Sequence, residues 1–139
     1  MEKSPLPPTP ARVNSRWILL VDDEASLVSL IRSVVEPYGM PVREAANGQA
    51  AMELIDNAKT SPALLICDVL MPGLDGLELS RRILARYPKL KVIFISGHLT
   101  DTSWWPADLR EHRFVAKPFS IAELTNAVAE VLETEDLVG

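Results

Sequence analysis

The chain has a single cysteine, Cys67, among 139 residues, which excludes an internal disulfide framework and fits a reducing compartment. Long hydrophobic runs are missing too. Stretches such as WILLV (17–21) and ALLIC (63–67) fall far short of the roughly 20 residues needed to cross a bilayer, and the N-terminus has no apolar signal core. A cytoplasmic protein without a membrane segment is expected. A basic excess is also lacking. Fourteen Lys and Arg face 19 Asp and Glu, for a net charge of −5, so the positive face that duplex binding requires is not there and nucleic acid is not expected as a partner. What is present, 47% hydrophobic and 24% charged residues, is ordinary globular composition at a length that suits one domain.

Residues 1–16, MEKSPLPPTPARVNSR, hold four of the eleven prolines. They contain too little apolar surface to offset chain entropy, so a disordered or extended arm is expected. From Trp17 the pattern changes. WILLV (17–21), ALLIC (63–67) and KVIFIS (91–96) are short, continuous apolar runs that suit strands buried on both faces. PVREAAN (41–47) and FVAK (114–117) complete five strands. Between them, ASLVSLIRSVVEPYG (25–39), QAAMELIDNAK (49–59) and GLELSRRILARY (76–87) carry helical spacing. SIAELTNAVAEVLE (120–133) opens on the capping-box pair Ser120 and Glu123. Between strands four and five, PADLREH reads as a short helix begun by Pro106. Strands alternating with helices imply right-handed βαβ crossovers and a parallel sheet with helices on both faces. Ligands of such sheets sit outside the carboxyl ends of the strands.

That rim collects Asp22, Asp23 and Glu24 after strand one, Asp68 after strand three, Ser96-Gly97 at strand four and Lys117-Pro118 at strand five. Clustered carboxylates repel unless a cation or a proton relieves them. Oxygen-only ligands with open positions suit Mg²⁺, a lysine is a compact charge for a phosphate oxygen, and a carboxylate can itself be a nucleophile.

ILLVDDE (18–24), CDVLMPGLDG (67–76), FISG (94–97) and FVAKPF (114–119), in that order and at those intervals, resemble a response-regulator receiver domain of two-component signalling over about residues 16–135. The resemblance implies an α/β, flavodoxin-like (βα)5 fold, a doubly wound parallel five-stranded sheet of order 2-1-3-4-5. It implies domain bounds of 17–135, with a tail at 136–139. It also implies that Asp68 is the phosphoacceptor, and that Asp22, Asp23, Asp68 and the backbone carbonyl of Leu70 form the Mg²⁺ site. Ser96 and Phe114 would be the switch residues, and Lys117 the lysine that pairs first with Asp68 and then with the phosphate. A cis peptide at Lys117-Pro118 goes with it. The expected partners are a sensor histidine kinase or a histidine phosphotransfer protein and a downstream protein target, with a monomer or weak dimer as the assembly. The output is then binding, not catalysis on a separate substrate.

Some positions depart from the family. LREHRFVAK lacks the usual Gly-Ala pair before strand five, and the preceding segment carries Trp104 and Trp105, either packed onto the domain or part of a partner surface. Leu70 and His98 flank the path of attacking water in the family. An apolar Leu70 cannot orient that water, so slow self-dephosphorylation is expected. Cys67 reads as a buried small hydrophobe, and His98 and His112 as loop histidines. Little chain remains after residue 133, which suggests a single-domain receiver. A receiver module of a hybrid histidine kinase and a receiver-like scaffold working without phosphorylation are the alternatives. An Asp-nucleophile phosphatase of the haloacid-dehalogenase kind wants two aspartates one residue apart, whereas Asp22 and Asp23 are adjacent. A dinucleotide-binding fold wants a Gly-rich turn where this chain has acids.

Overall fold

A continuous apolar run is stable as a strand only when both of its faces are covered, and the three central runs meet that condition. In the computed structural model, which describes residues 16–69, 75–97, 107–109 and 111–138 without the side chains of 134–138, five strands alternate with helices. The order is β1 (Trp17–Val21), α1 (Ala25–Val35), β2 (Val42–Ala45), α2 (Gly48–Asn57), β3 (Pro62–Asp68), α3 (Gly76–Arg86), β4 (Lys91–Ser96), β5 (Arg113–Ala116) and α4 (Ile121–Val138). Short 3-10 turns occupy Glu36–Tyr38 and Ala107–Leu109. All strand pairs are parallel, in the order β2-β1-β3-β4-β5. The fold is the expected flavodoxin-like one. Among the described residues no helix is long and apolar enough to cross a membrane.

Side chains alternate across a strand, so each buried run feeds two cores. Leu19, Val21, Leu65, Cys67, Val92 and Phe94 face one layer, where Ala51 and Ile55 of α2 and Leu79 and Ile83 of α3 are buried. Ile18, Leu20, Leu64, Ile66, Ile93 and Ile95 face the other, against Ile31 and Val35 of α1 and Leu124, Ala127 and Val128 of α4. Each fully buried Leu or Ile contributes roughly 2 kcal/mol relative to exposure. The sheet is thereby fixed from both sides, and its carboxyl edge becomes a rigid platform.

Local chemistry explains most boundaries. Helix α1 stops at Val35, ended as its sequence implies: Pro37 tightens Glu36–Tyr38 into the 3-10 turn and Gly39 reverses the chain at φ 83°. Asn47, at the end of the stretch read as strand two, caps α2 by accepting the Ala50 N–H at 2.8 Å. The Ser120–Glu123 box is reciprocal: Glu123 N–H donates to Ser120 Oγ at 3.0 Å and Ser120 N–H to Glu123 Oε1 at 2.9 Å.

Three boundaries differ from expectation. Helix α4 runs to Val138, since no Pro or Gly interrupts it before Gly139. Residues 136–138, expected as tail, are therefore helical. Arg16, expected in the arm, donates to the Pro62 carbonyl at 3.3 Å and belongs to the domain. β5 spans Arg113–Ala116, so Lys117 lies just past its end. The arm at 1–15 lies outside the described residues, as does all of the segment 98–113 before Ala107. From there Ala107–Leu109 form one 3-10 turn and Arg110 is not described.

Candidate functional site

The strand ladder delivers each rim residue to its place. The Asp22 N–H donates to the Ala45 carbonyl at 3.1 Å, Val69 N–H to Ile95 at 2.9 Å, and Lys117 N–H to Ser96 at 2.8 Å. The residue after each strand is thus still held by the neighbouring one. Asp68 is the last residue of β3, paired with Ile95, and Ser96 ends β4 opposite Ala116. Both Asp68 and Ser96 are buried. The peptide between Lys117 and Pro118 is cis, as the resemblance implied.

Three carboxylates meet there. One oxygen each from Asp22, Asp23 and Asp68 lies within 4.8 Å of the others. Asp22 is buried. Its Oδ1 accepts the Glu24 N–H at 2.9 Å, while its Oδ2 has no hydrogen-bond partner among the described residues. An orphaned buried carboxylate oxygen beside two more carboxylates is a donor set that fits a hard divalent cation such as Mg²⁺. Burial pushes the Asp22 carboxyl up to about 6; the Glu24 N–H and Lys117 pull it down, and the charges of Asp68 and Asp23 push it further up.

The sign of that shift has a consequence for the metal-free protein. With a folded value above the ordinary carboxyl value of 3.8, folding favours the protonated carboxyl. Its contribution is complete below about pH 3.8 and is lost as pH rises through 6. Asp22→Asn should therefore raise the unfolding free energy in EDTA at neutral pH, on the order of 2 kcal/mol. The gain should fade as the pH is lowered towards 4. Urea melts across that range check it, and a gain that does not change with pH would mean that ionised Asp22 is not the source.

Lys117 supplies the countercharge. Its Nζ is 3.2 Å from Asp68 Oδ2 and 3.7 Å from Glu24 Oε1. Burial alone would lower its pKa, but the charge and hydrogen bond of Asp68, with Asp22 and Glu24 behind them, raise it above the ordinary lysine value. Phe114 lies three residues before Lys117, level with Phe94 on β4 and packed on the α2/α3 core. His112, expected as a loop histidine, sits edge-on to Phe94 with ring centroids 6.1 Å apart. Leu70, His98, Trp104 and Trp105 lie outside the described residues.

Two residues to which the sequence reading gave no role support the site. Glu24 joins the pocket through both its backbone and its side chain. The other is Gly76, which is buried at the start of α3. A Cβ at Gly76 would lie 2.9 Å from the Asp68 carbonyl carbon and from Val69 Cα, and closer still to the Asp68 carbonyl oxygen. Gly76 N–H donates to the Val69 carbonyl at 3.0 Å, and Ser80 Oγ donates to the Gly76 carbonyl at 2.6 Å. Cys67 Sγ reaches the Asp68 carbonyl at 3.3 Å. Burial, and then the Asp68 charge, push that thiol up, so it is an inert wall. The only hint in the sequence was a glycine directly after a capping Asp75, whose side chain accepts the Glu78 N–H at 2.8 Å.

Comparison with known proteins agrees with this geometry. Residues 18–129 match the family model of the response regulator receiver domain. The chain is 35% identical over 124 residues to a segment of the sensor kinase CckA of Brucella abortus, a match covering 88% of this chain and 13% of CckA. It is 32% identical to the response regulator receiver protein CpdR of the same organism, covering 83% of this chain and 95% of CpdR. The crystal structure of the receiver domain of NtrX from Brucella abortus superposes with a TM-score of 0.72 at 32% identity, covering 84% of this chain and 98% of that one. With its sheet order, its rim of three aspartates and its Lys117–Asp68 pair, the chain belongs to the response regulator receiver domain family.

Proposed function

We propose that this receiver takes a phosphoryl group onto Asp68 from a phosphohistidine of a histidine kinase or phosphotransfer protein. The resulting change at the carboxyl edge switches its binding to a downstream protein. The observation that carries this reading is Lys117 Nζ seated 3.2 Å from Asp68 Oδ2 beside the three-carboxylate cluster. A carboxylate oxygen of Asp68 attacks phosphorus, the P–N bond breaks, and its electron pair stays on the donor imidazole. Such transfers need positioning and charge neutralisation more than covalent help. Asp22, Asp23 and Asp68 would hold Mg²⁺, which draws charge from the phosphoryl oxygens. Lys117 exchanges its pairing with Asp68 for one with the new phosphoryl oxygen. Ser96, at the end of the adjacent strand, is the hydroxyl assigned to follow it, and Phe114 the aromatic that repacks in response. The role is signalling, in the cytoplasm, with no other substrate.

Intact mass after incubation with acetyl phosphate and Mg²⁺ tests the reading. One phosphoryl adduct is expected, missing in EDTA and in Asp68→Asn. An adduct that survives Asp68→Asn would place the acceptor elsewhere. No adduct from acetyl phosphate or from candidate kinases would favour a scaffold that works without phosphorylation. The likeness to a segment of a sensor kinase supports a second setting for the same chemistry, a receiver joined to a hybrid kinase.

A further inference from the structure

Lys117 is a shared cation. Asp68 holds it at 3.2 Å and Glu24 at 3.7 Å. Glu24 serves the fold and the rim through different atoms. Its N–H donates to Asp22 Oδ1 at 2.9 Å, and its carbonyl accepts the N–H groups of Leu27 and Val28 at 3.0 Å to start α1. Its side chain makes no capping bond to the helix. Any residue other than proline supplies those backbone groups, so the carboxylate is spare as far as the fold is concerned. With the Glu24 side chain 61% exposed, its ion pair adds little stability. Its effect falls instead on whatever approaches Asp68.

Asp68, Asp22 and Glu24 all act on that one ammonium, and Asp22, Asp23 and Asp68 lie close enough together to share a cation. Glu24 stands outside that group, and among the described residues its recorded ion pair is with Lys117, the same ammonium that an incoming phosphoryl group needs. We propose that Glu24 is a specificity-determining residue of the phosphoryl transfer: its carboxylate competes for Lys117 and selects against free, highly charged phosphodonors. This rests on Asp68 being the acceptor. A field of this kind acts at a distance and is screened by salt, unlike a packing effect.

The test compares wild type, Glu24→Gln and Glu24→Asp. Phosphoryl uptake is followed by intact mass with acetyl phosphate, a dianion near neutral pH, and with phosphoramidate, a monoanion, at low and high salt. Circular-dichroism melts monitor the fold. Glu24→Gln should speed uptake from acetyl phosphate roughly three- to ten-fold at low ionic strength. Phosphoramidate should gain less, and the difference should close in about 0.5 M salt. Glu24→Asp keeps the charge and should stay with wild type. Equal rates for Glu24→Gln and wild type overturn the proposal while leaving Asp68 as acceptor. So does a gain unaffected by salt, or one shared by Glu24→Asp, since each assigns the effect to shape. If neither wild type nor Glu24→Gln takes up a phosphoryl group from either donor or from a candidate kinase, the acceptor reading fails and this proposal with it.

Discussion

Lys117→Ala is expected to slow phosphoryl uptake from acetyl phosphate by on the order of a hundred-fold, the usual consequence of removing one preorganised charge from a developing transition state. The structure adds a second effect with its own readout. Asp68 and Asp22 are buried at 4% and 3% exposure, and Lys117 is the cation that faces them. Without it the metal-free protein should lose about 2 kcal/mol, less than for a fully buried pair because Lys117 is itself 26% exposed. Mg²⁺ titration should recover most of that loss but little of the rate. Lys117→Arg should restore stability better than rate, because a planar fork does not replace a compact ammonium. Urea melts with and without Mg²⁺, beside intact-mass kinetics, separate the two effects. A Lys117→Ala protein that is phosphorylated at the wild-type rate would remove Lys117 from the chemistry.

Gly76→Ala should lower the unfolding free energy by about 3 kcal/mol, because the added methyl meets backbone and not a side chain that can turn away. The groups it would press on are the Asp68 carbonyl and Val69 Cα. Relief requires α3 to move off the end of β3, which breaks the Gly76–Val69 hydrogen bond. Asp68 is the residue on that strand end, so uptake of phosphoryl should fall together with stability. A control at Ser80, where Ser80→Ala removes the Oγ bond to the Gly76 carbonyl and its hydrogen bond with Cys67 but adds no atom, should cost about 1 kcal/mol. If Gly76→Ala melts within about 0.5 kcal/mol of wild type, the close approach of α3 to β3 is not real.

Legibility followed physical cause. WILLV, ALLIC and KVIFIS announced themselves because a strand buried on both faces has no polar position to blur it. β2 was less sharp, since Arg43 and Glu44 at the sheet edge are exposed and only Ala45 is buried. The carboxyl-edge residues were readable because the topology of parallel sheets, and not their local sequence, says where strand ends converge. What Glu24 and Gly76 do was not readable in this way. Their roles depend on distances between loops: Glu24 meets a lysine that arrives with β5, and Gly76 matters only because α3 starts against the end of β3. The length of α4 was misjudged for a different reason. The residues after Glu133 carry no apolar helical stripe like the one before them, yet nothing there breaks a helix.

The central position of β1 also bears on how the protein is made. Since β1 pairs with both β2 and β3, the first 69 residues contain a complete three-stranded unit with α1 and α2 on opposite faces. A ribosome releases that half first. Asp22, Asp23 and Asp68 all belong to that half, and Lys117 follows only with β5. A chain made that far has its acidic residues without the lysine, so a divalent cation is expected to offset their repulsion there, and urea melts of the Lys117→Ala protein with and without Mg²⁺ bear on the same point.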